Sequence, residues 1–206
     1  MSAQGSSLVT GPPESSSLRT PQQVIQNRHI IVVYGPAGCG KTSNAKYIAE
    51  IFGLKFMEGD EYHSPAAIEK MAAGIPLEDA DRWEWLARLR DAATDSLAEK
   101  DVRGVVMTCS ALKQRYRDVL RGANDETQGI SVHFILLSAD RKTLEARLSS
   151  RIGHFMPPGM LDSQLRTLQP VGRNETDIVV VDARGGRQET EAKVAEAVRL
   201  HKLRAE

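Results

Sequence analysis

The stretch GPAGCGKT, Gly35 to Thr42, follows the apolar run HIIVVY (29–34) and precedes SNAKYIAEIF (43–52), a segment of helical period. It matches GxxxxGK[ST] in the context that gives the pattern meaning, with a strand before it and a helix after. Its glycines let the backbone curl so that successive amides face inward. The helix N-terminus adds a partial positive charge, so a polyphosphate is held mostly by main chain. The expected cradle runs through Gly35, Ala37, Gly38, Cys39 and Gly40 and on to Lys41, Thr42 and Ser43. Lys41 is placed to reach the β and γ phosphates, and the Thr42 hydroxyl to ligate Mg²⁺. Beside Lys41 and at a helix N-terminus, Cys39 is a candidate reactive thiolate. The motif alone leaves the class open among switch GTPases, ATPases that drive motion, and kinases of small molecules.

Outward from this loop, strand-length apolar runs alternate with helical segments, the signature of an α/β fold around a mainly parallel sheet. Strands are predicted at 30–34, 55–57, 104–108, 131–137 and 178–182, and helices at 41–52, 64–73, 82–100, 112–121, 140–151, 160–168 and 187–203. The helix at 82–100 shows its period plainly, with Leu86, Leu89, Ala93 and Leu97 on one stripe and Arg88, Asp91, Asp95 and Glu99 off it. Asn124 to Gly129 reads as a polar loop whose length carries no consequence.

Composition bounds the partners. The chain has 206 residues, enough for one domain with a good core, and its 27 Lys and Arg balance 27 Asp and Glu. Bulk charge therefore suggests neither a nucleic-acid nor an anionic-membrane partner, and any anion must be bound by local design. No apolar run is long enough to cross a membrane, and the N-terminus lacks a signal-peptide core. Two cysteines, Cys39 and Cys109, are too few for a disulfide framework. The expectation is a soluble, cytoplasmic protein. Residues 1–28, rich in Ser, Pro, Gly and Gln, are expected to form a flexible tail, and 29–206 a single domain.

Two acidic segments compete for a role. Asp182 to Gly185 spells DxxG after an apolar strand, as in a GTPase. It falls in the last strand, however, and no NKxD occurs anywhere. The segment FMEGDEYH (56–63) is more informative: it ends the second strand, where side chains project into the ligand crevice of such sheets. Asp60 is placed there to accept a proton from, or to orient, an attacking hydroxyl in an in-line phosphoryl transfer.

Four ordered blocks carry a family resemblance: EGDEYH (58–63), AAIEKMAAGIPLEDADRWEWL (66–86), CSALKQRYRDVLR (109–121) and RLSSRIGHFMPPGMLDSQLRTLQP (147–170). Together with the phosphate loop they span about residues 30–170, and their order and spacing resemble the gluconokinase family of small P-loop kinases. The resemblance implies a three-layer P-loop kinase fold, with a five-stranded parallel sheet and helices on both faces. It also implies a substrate region at about 58–100 and a mobile lid at about 147–165. The implied reaction is transfer of phosphate from ATP, with Mg²⁺, to D-gluconate, giving 6-phosphogluconate in the pentose phosphate pathway. A shikimate kinase or another sugar-acid kinase of the same fold, and a nucleotide-binding regulatory protein with a retired active site, are the alternatives.

The resemblance also assigns residues. Arg82, whose guanidinium fork suits a carboxylate, would bind the acid of the substrate. Asp60, His63, Lys113, Arg117 and His154 would complete that pocket. Arg151 would act with Lys41 and Asp60 as a catalytic residue, swinging over the transferring phosphate, and Arg147 would lie nearer the base. Of Trp83 and Trp85, the second would line the site or serve the core. A homodimer is expected by the same analogy.

Two departures stand out. Gln169 runs into Pro170 where the family usually has an acidic residue, which leaves open any adenine contact from the loop reaching Arg173. Glu58 stands where Asp is common, so a water-mediated role at Mg²⁺ would require its longer arm to fold back.

Overall fold

The computed structural model describes residues 28–150 and 158–203. Five strands, β1 (Arg28–Tyr34), β2 (Lys55–Met57), β3 (Gly104–Cys109), β4 (Ile130–Ser138) and β5 (Ile178–Asp182), form one sheet in the order β2-β3-β1-β4-β5. Every pairing is parallel. Seven α-helices accompany it among the described residues: α1 (Lys41–Phe52), α2 (Pro65–Ala72), α3 (Ala80–Ala98), α4 (Gln114–Arg121), α5 (Arg141–Ser149), α6 (Pro158–Thr167) and α7 (Arg187–Leu203). The expected tail, apart from Arg28, lies outside the described residues, as do Arg151, His154 and the middle of the expected lid.

Central strands buried on both faces read as continuous apolar runs, and β1 and β3 do so. Alternate residues of β1 feed two separate cores. Ile30, Val32 and Tyr34 join Trp85, Leu86, Leu89, Ala93 and Leu97 of α3 and Tyr116 and Leu120 of α4. Ile31 and Val33 join Ala45 and Ile48 of α1, Leu144 of α5, Leu161 of α6, and Val194, Ala197 and Val198 of α7. Helices thus cover both faces, and the stripe of α3 read from the sequence is the stripe it buries.

Local chemistry moves several boundaries. Ser64 caps α2 by accepting from Ala67 N–H at 3.2 Å, and Asp140 caps α5 by accepting from Thr143 N–H at 2.8 Å. The fourth helix starts at Gln114 rather than 112, because Ala111 takes φ 40° and Lys113 is extended. Ser110 therefore does not cap it. The loop Asn124 to Gly129 is not free to vary, since Arg28 N–H donates to the Gly129 carbonyl at 2.8 Å and its guanidinium to that of Gln128 at 3.0 Å.

The strand order reverses at β1, which has β3 on one side and β4 on the other. Ligands of open α/β sheets bind beyond the carboxyl ends of strands at such a point, and the phosphate loop begins there, one residue past Tyr34. No described helix is long and apolar enough to cross a membrane.

Candidate active site

The loop from Gly35 to Gly40 is held in shape by its glycines. Gly35 takes φ +142°, and a Cβ there would stand 2.9 Å from the Leu137 carbonyl oxygen and 3.0 Å from Cys39 Sγ. Gly40, at φ +97°, turns the chain into α1, whose first turn contains no acidic side chain. Lys41 Nζ lies along the loop and donates to the carbonyls of Gly35 and Pro36, each at 3.2 Å. Cys39 is wholly buried and burial raises its thiol pKa, outweighing Lys41, so the expectation of a reactive thiolate is corrected.

On one flank of the loop stand the acids. Thr42 Oγ1 donates to Glu58 Oε2 at 2.8 Å, and the Thr108 hydroxyl donates to the other oxygen of the same carboxylate. Thr108 also accepts from Gly59 N–H at 3.0 Å, which ties the end of β2 to the end of β3. Thr42 and Glu58 together form an all-oxygen donor set that fits a hard divalent cation keeping several waters and phosphate oxygens. Glu58 reaches the threonine directly, so its longer arm needs no awkward fold.

Asp60 follows in a 3₁₀ turn (Gly59–Tyr62), its side chain 75% exposed and 3.9 Å from His63 Nε2. His63 is buried behind it, stacked on Trp85 with ring centroids 4.0 Å apart. Burial lowers the His63 pKa, against the pull of Asp60 and with Arg82 and Arg88 adding to the effect, so the ring is neutral at pH 7. Trp85 donates from Nε1 to the Gly59 carbonyl at 2.7 Å and is 1% exposed. It is a core residue that pins the Asp60 turn.

Arg82, in the first turn of α3, donates to the Leu77 carbonyl at 3.2 Å and makes no ion pair among the described residues. Its guanidinium is half-buried, 5.7 Å from the Tyr116 ring centre. The neighbouring Asp79 is already taken, by Lys113 at 2.7 Å, Arg115 and the Tyr116 hydroxyl. Burial pushes the Cys109 thiol at the end of β3 up to about 12, and Asp60, Lys41 and Arg82 all act on it electrostatically. The charged groups acting at this strand end are therefore one carboxylate and two cations.

On the other flank of the loop lies a cleft of about 840 Å³. Cys39, Asn44, Thr143, Arg147, Gly185 and Thr190 are among its lining residues. Arg147 is fixed there by donating to the Gly185 carbonyl at 2.8 Å. The Asp182 carboxylate holds Arg184 at 2.8 and 2.9 Å.

The chain is 41% identical over 176 residues to a probable gluconokinase of Schizosaccharomyces pombe, an alignment covering 85% of this chain and 90% of that one. The chain belongs to the gluconokinase family. It is also 43% identical over 150 residues to a gluconokinase of Gluconobacter oxydans, covering 73% of this chain and 80% of that one. A solved gluconokinase structure from Sinorhizobium meliloti superposes with a TM-score of 0.70 at 38% identity, over 88% of this chain and 99% of that one. No protein-family model matches the chain.

One residue that the gluconokinase resemblance brought into the pocket stands elsewhere. Arg117 is fully buried, with Nε and Nη2 on the two oxygens of Glu175 at 2.7 and 2.6 Å and Nη1 on the Ala111 carbonyl at 3.1 Å. That is a structural pair, with no donor turned to the crevice. Lys113 stands nearer the site and is held by Asp79 at 2.7 Å. The loop at Gln169 packs on α4, accepting from Gln114 N–H at 2.7 Å, while the cleft forms at Gly185. Thr108, Asp79 and Gly185 were missed: each works through a partner at least 34 residues away, and no local motif announces such a contact.

Proposed function

We infer that the protein transfers the terminal phosphoryl group of ATP to a hydroxyl of D-gluconate. The observation that carries this reading is the meeting of the Lys41 phosphate loop with the turn of the exposed Asp60, joined by the Thr42–Glu58 hydrogen bond, while Arg82 makes no ion pair among the described residues. In a member of the gluconokinase family, that meeting matches donor phosphates to a hydroxy acid.

The base-side cleft, with Arg147 and Gly185, takes the nucleoside, and the loop amides with Lys41 take its phosphates. Thr42 and Glu58 would hold Mg²⁺, which would supply charge neutralisation for the phosphate oxygens. Asp60, exposed toward the crevice, accepts the hydroxyl proton or orients the hydroxyl for in-line attack, while neutral His63 holds the Asp60 turn from behind. Arg82 offers its fork to the gluconate carboxylate. Lys113 is a second cation that Asp79 releases when the acid arrives. Catalysis is then mainly positioning and charge stabilisation. The role of Arg151 over the transferring phosphate is an expectation carried from the resemblance.

Steady-state kinetics of Arg82→Met beside the unaltered protein tests the substrate assignment. A charge-assisted hydrogen bond is worth about 1.5–3 kcal/mol, so KM for gluconate should rise on the order of ten- to a hundredfold with KM for ATP unchanged. An unchanged KM for gluconate removes Arg82 from the pocket.

A further inference from the structure

The sixth helix meets the phosphate loop with its inner face. Leu161 is buried in the same cluster as Cys39, Leu165 packs against that cluster, and Gln164 stands between them. Gln164 Oε1 accepts from Ala37 N–H at 2.7 Å. Because the partner is a backbone donor, the end of the amide facing it must be the oxygen. Nε2, with two N–H groups, is left facing away, and among the described residues it makes no hydrogen bond. Lys41 holds the two preceding loop residues by their carbonyls. Two side chains that can donate to phosphate are thus attached to Gly35, Pro36 and Ala37 in succession.

A bare carbonyl oxygen at the mouth of an anion cradle would repel phosphate. Turned as it is, the Gln164 amide spends its oxygen on the loop and presents its donors outward. It exchanges one loop N–H for two that stand a side chain's length further out, on a helix already fixed in the core. We propose that Gln164 positions the transferring phosphoryl group, with Oε1 bracing Ala37 and Nε2 donating to an oxygen of the terminal phosphate. This rests on the loop being the MgATP site.

The test compares Gln164→Glu with the unaltered protein. The substitution keeps an acceptor for Ala37 N–H and the side-chain length, but replaces both donors with an anionic oxygen. Affinities for ADP and for a non-hydrolysable ATP analogue are measured calorimetrically with Mg²⁺ and without acceptor, then kcat and KM with gluconate. The analogue should bind at least about tenfold more weakly and ADP within about twofold of the unaltered protein. The same loss should appear in kcat, with KM for gluconate little changed. Gln164→Met, without charge or donors, should shift the same ratio in the same direction and serves if the first variant does not fold. An analogue-to-ADP affinity ratio equal to that of the unaltered protein in a folded variant overturns the proposal, because a residue that only braces the loop would leave it unmoved. Failure of the unaltered protein to phosphorylate gluconate would sink the acceptor assignment, while the nucleotide ratio would still report on Gln164.

Discussion

Asp60 has little around it to fix its carboxylate except His63, and its exposure matches a group that must meet an incoming hydroxyl. Asp60→Asn keeps the size and removes the basic oxygen. Its kcat should fall at least about a hundredfold while ATP affinity, measured by nucleotide titration, stays as it was. Glu58 works differently, through its contact with Thr42. Glu58→Gln should raise the Mg²⁺ concentration needed for half-maximal activity by on the order of tenfold, read from a Mg²⁺ titration at saturating ATP. The buried Cys39 thiol should react with an alkylating agent only on unfolding, at a rate that ATP alters solely through stability. Sequence proximity to Lys41 misled on this point: a neighbour's charge acts on a thiolate only if the thiol is not first stripped of water.

At the scale of elements, α4 is tethered by charge. Arg117 and Arg121 both hold Glu175, at 2.6 and 2.7 Å, and Arg121 also holds Asp177 at 2.6 Å, just before β5. Removing Arg117 leaves the buried Glu175 with Arg121 as its remaining cation, so Arg117→Met should cost up to about 3–5 kcal/mol in denaturant unfolding. Burial pushes the Glu175 carboxyl up, but Arg117, the Gly172 N–H and Arg121 prevail and hold it at about 2, against an ordinary 4.5. The folded chain therefore binds fewer protons than the unfolded one in that interval. The contribution of Glu175 is complete above about pH 4.5 and is lost as pH falls toward 2, and Glu175→Gln should remove that part of the acid-induced loss in stability. The helix itself was readable from QRYRDVLR, yet which of its arginines turns inward was not. Arg117 lies on the same buried face as Tyr116 and Leu120, and only Glu175, 58 residues on, shows why a charge belongs there.

For the whole molecule, the apolar runs IIVVY and GVVMT were enough to reveal a parallel sheet with covered faces, since strands buried on both sides leave an unbroken apolar record. Strand order left no such record. Nor did the cleft proposed for the base, assembled from Cys39 in the loop, Arg147 in α5 and Gly185 after β5. The proposed acceptor side rests on the turn at Asp60 and the start of α3 at Arg82, two short segments that the family resemblance singled out. The central claim is that these two sides bring MgATP and D-gluconate together. Its most direct measurement is coupled ADP release with Mg²⁺ and ATP across a panel of acids that includes D-gluconate and shikimate. Acceptor-dependent ADP release with D-gluconate, far above that with shikimate, is the expected result. Equal turnover of shikimate, or no release dependent on gluconate, would contradict it.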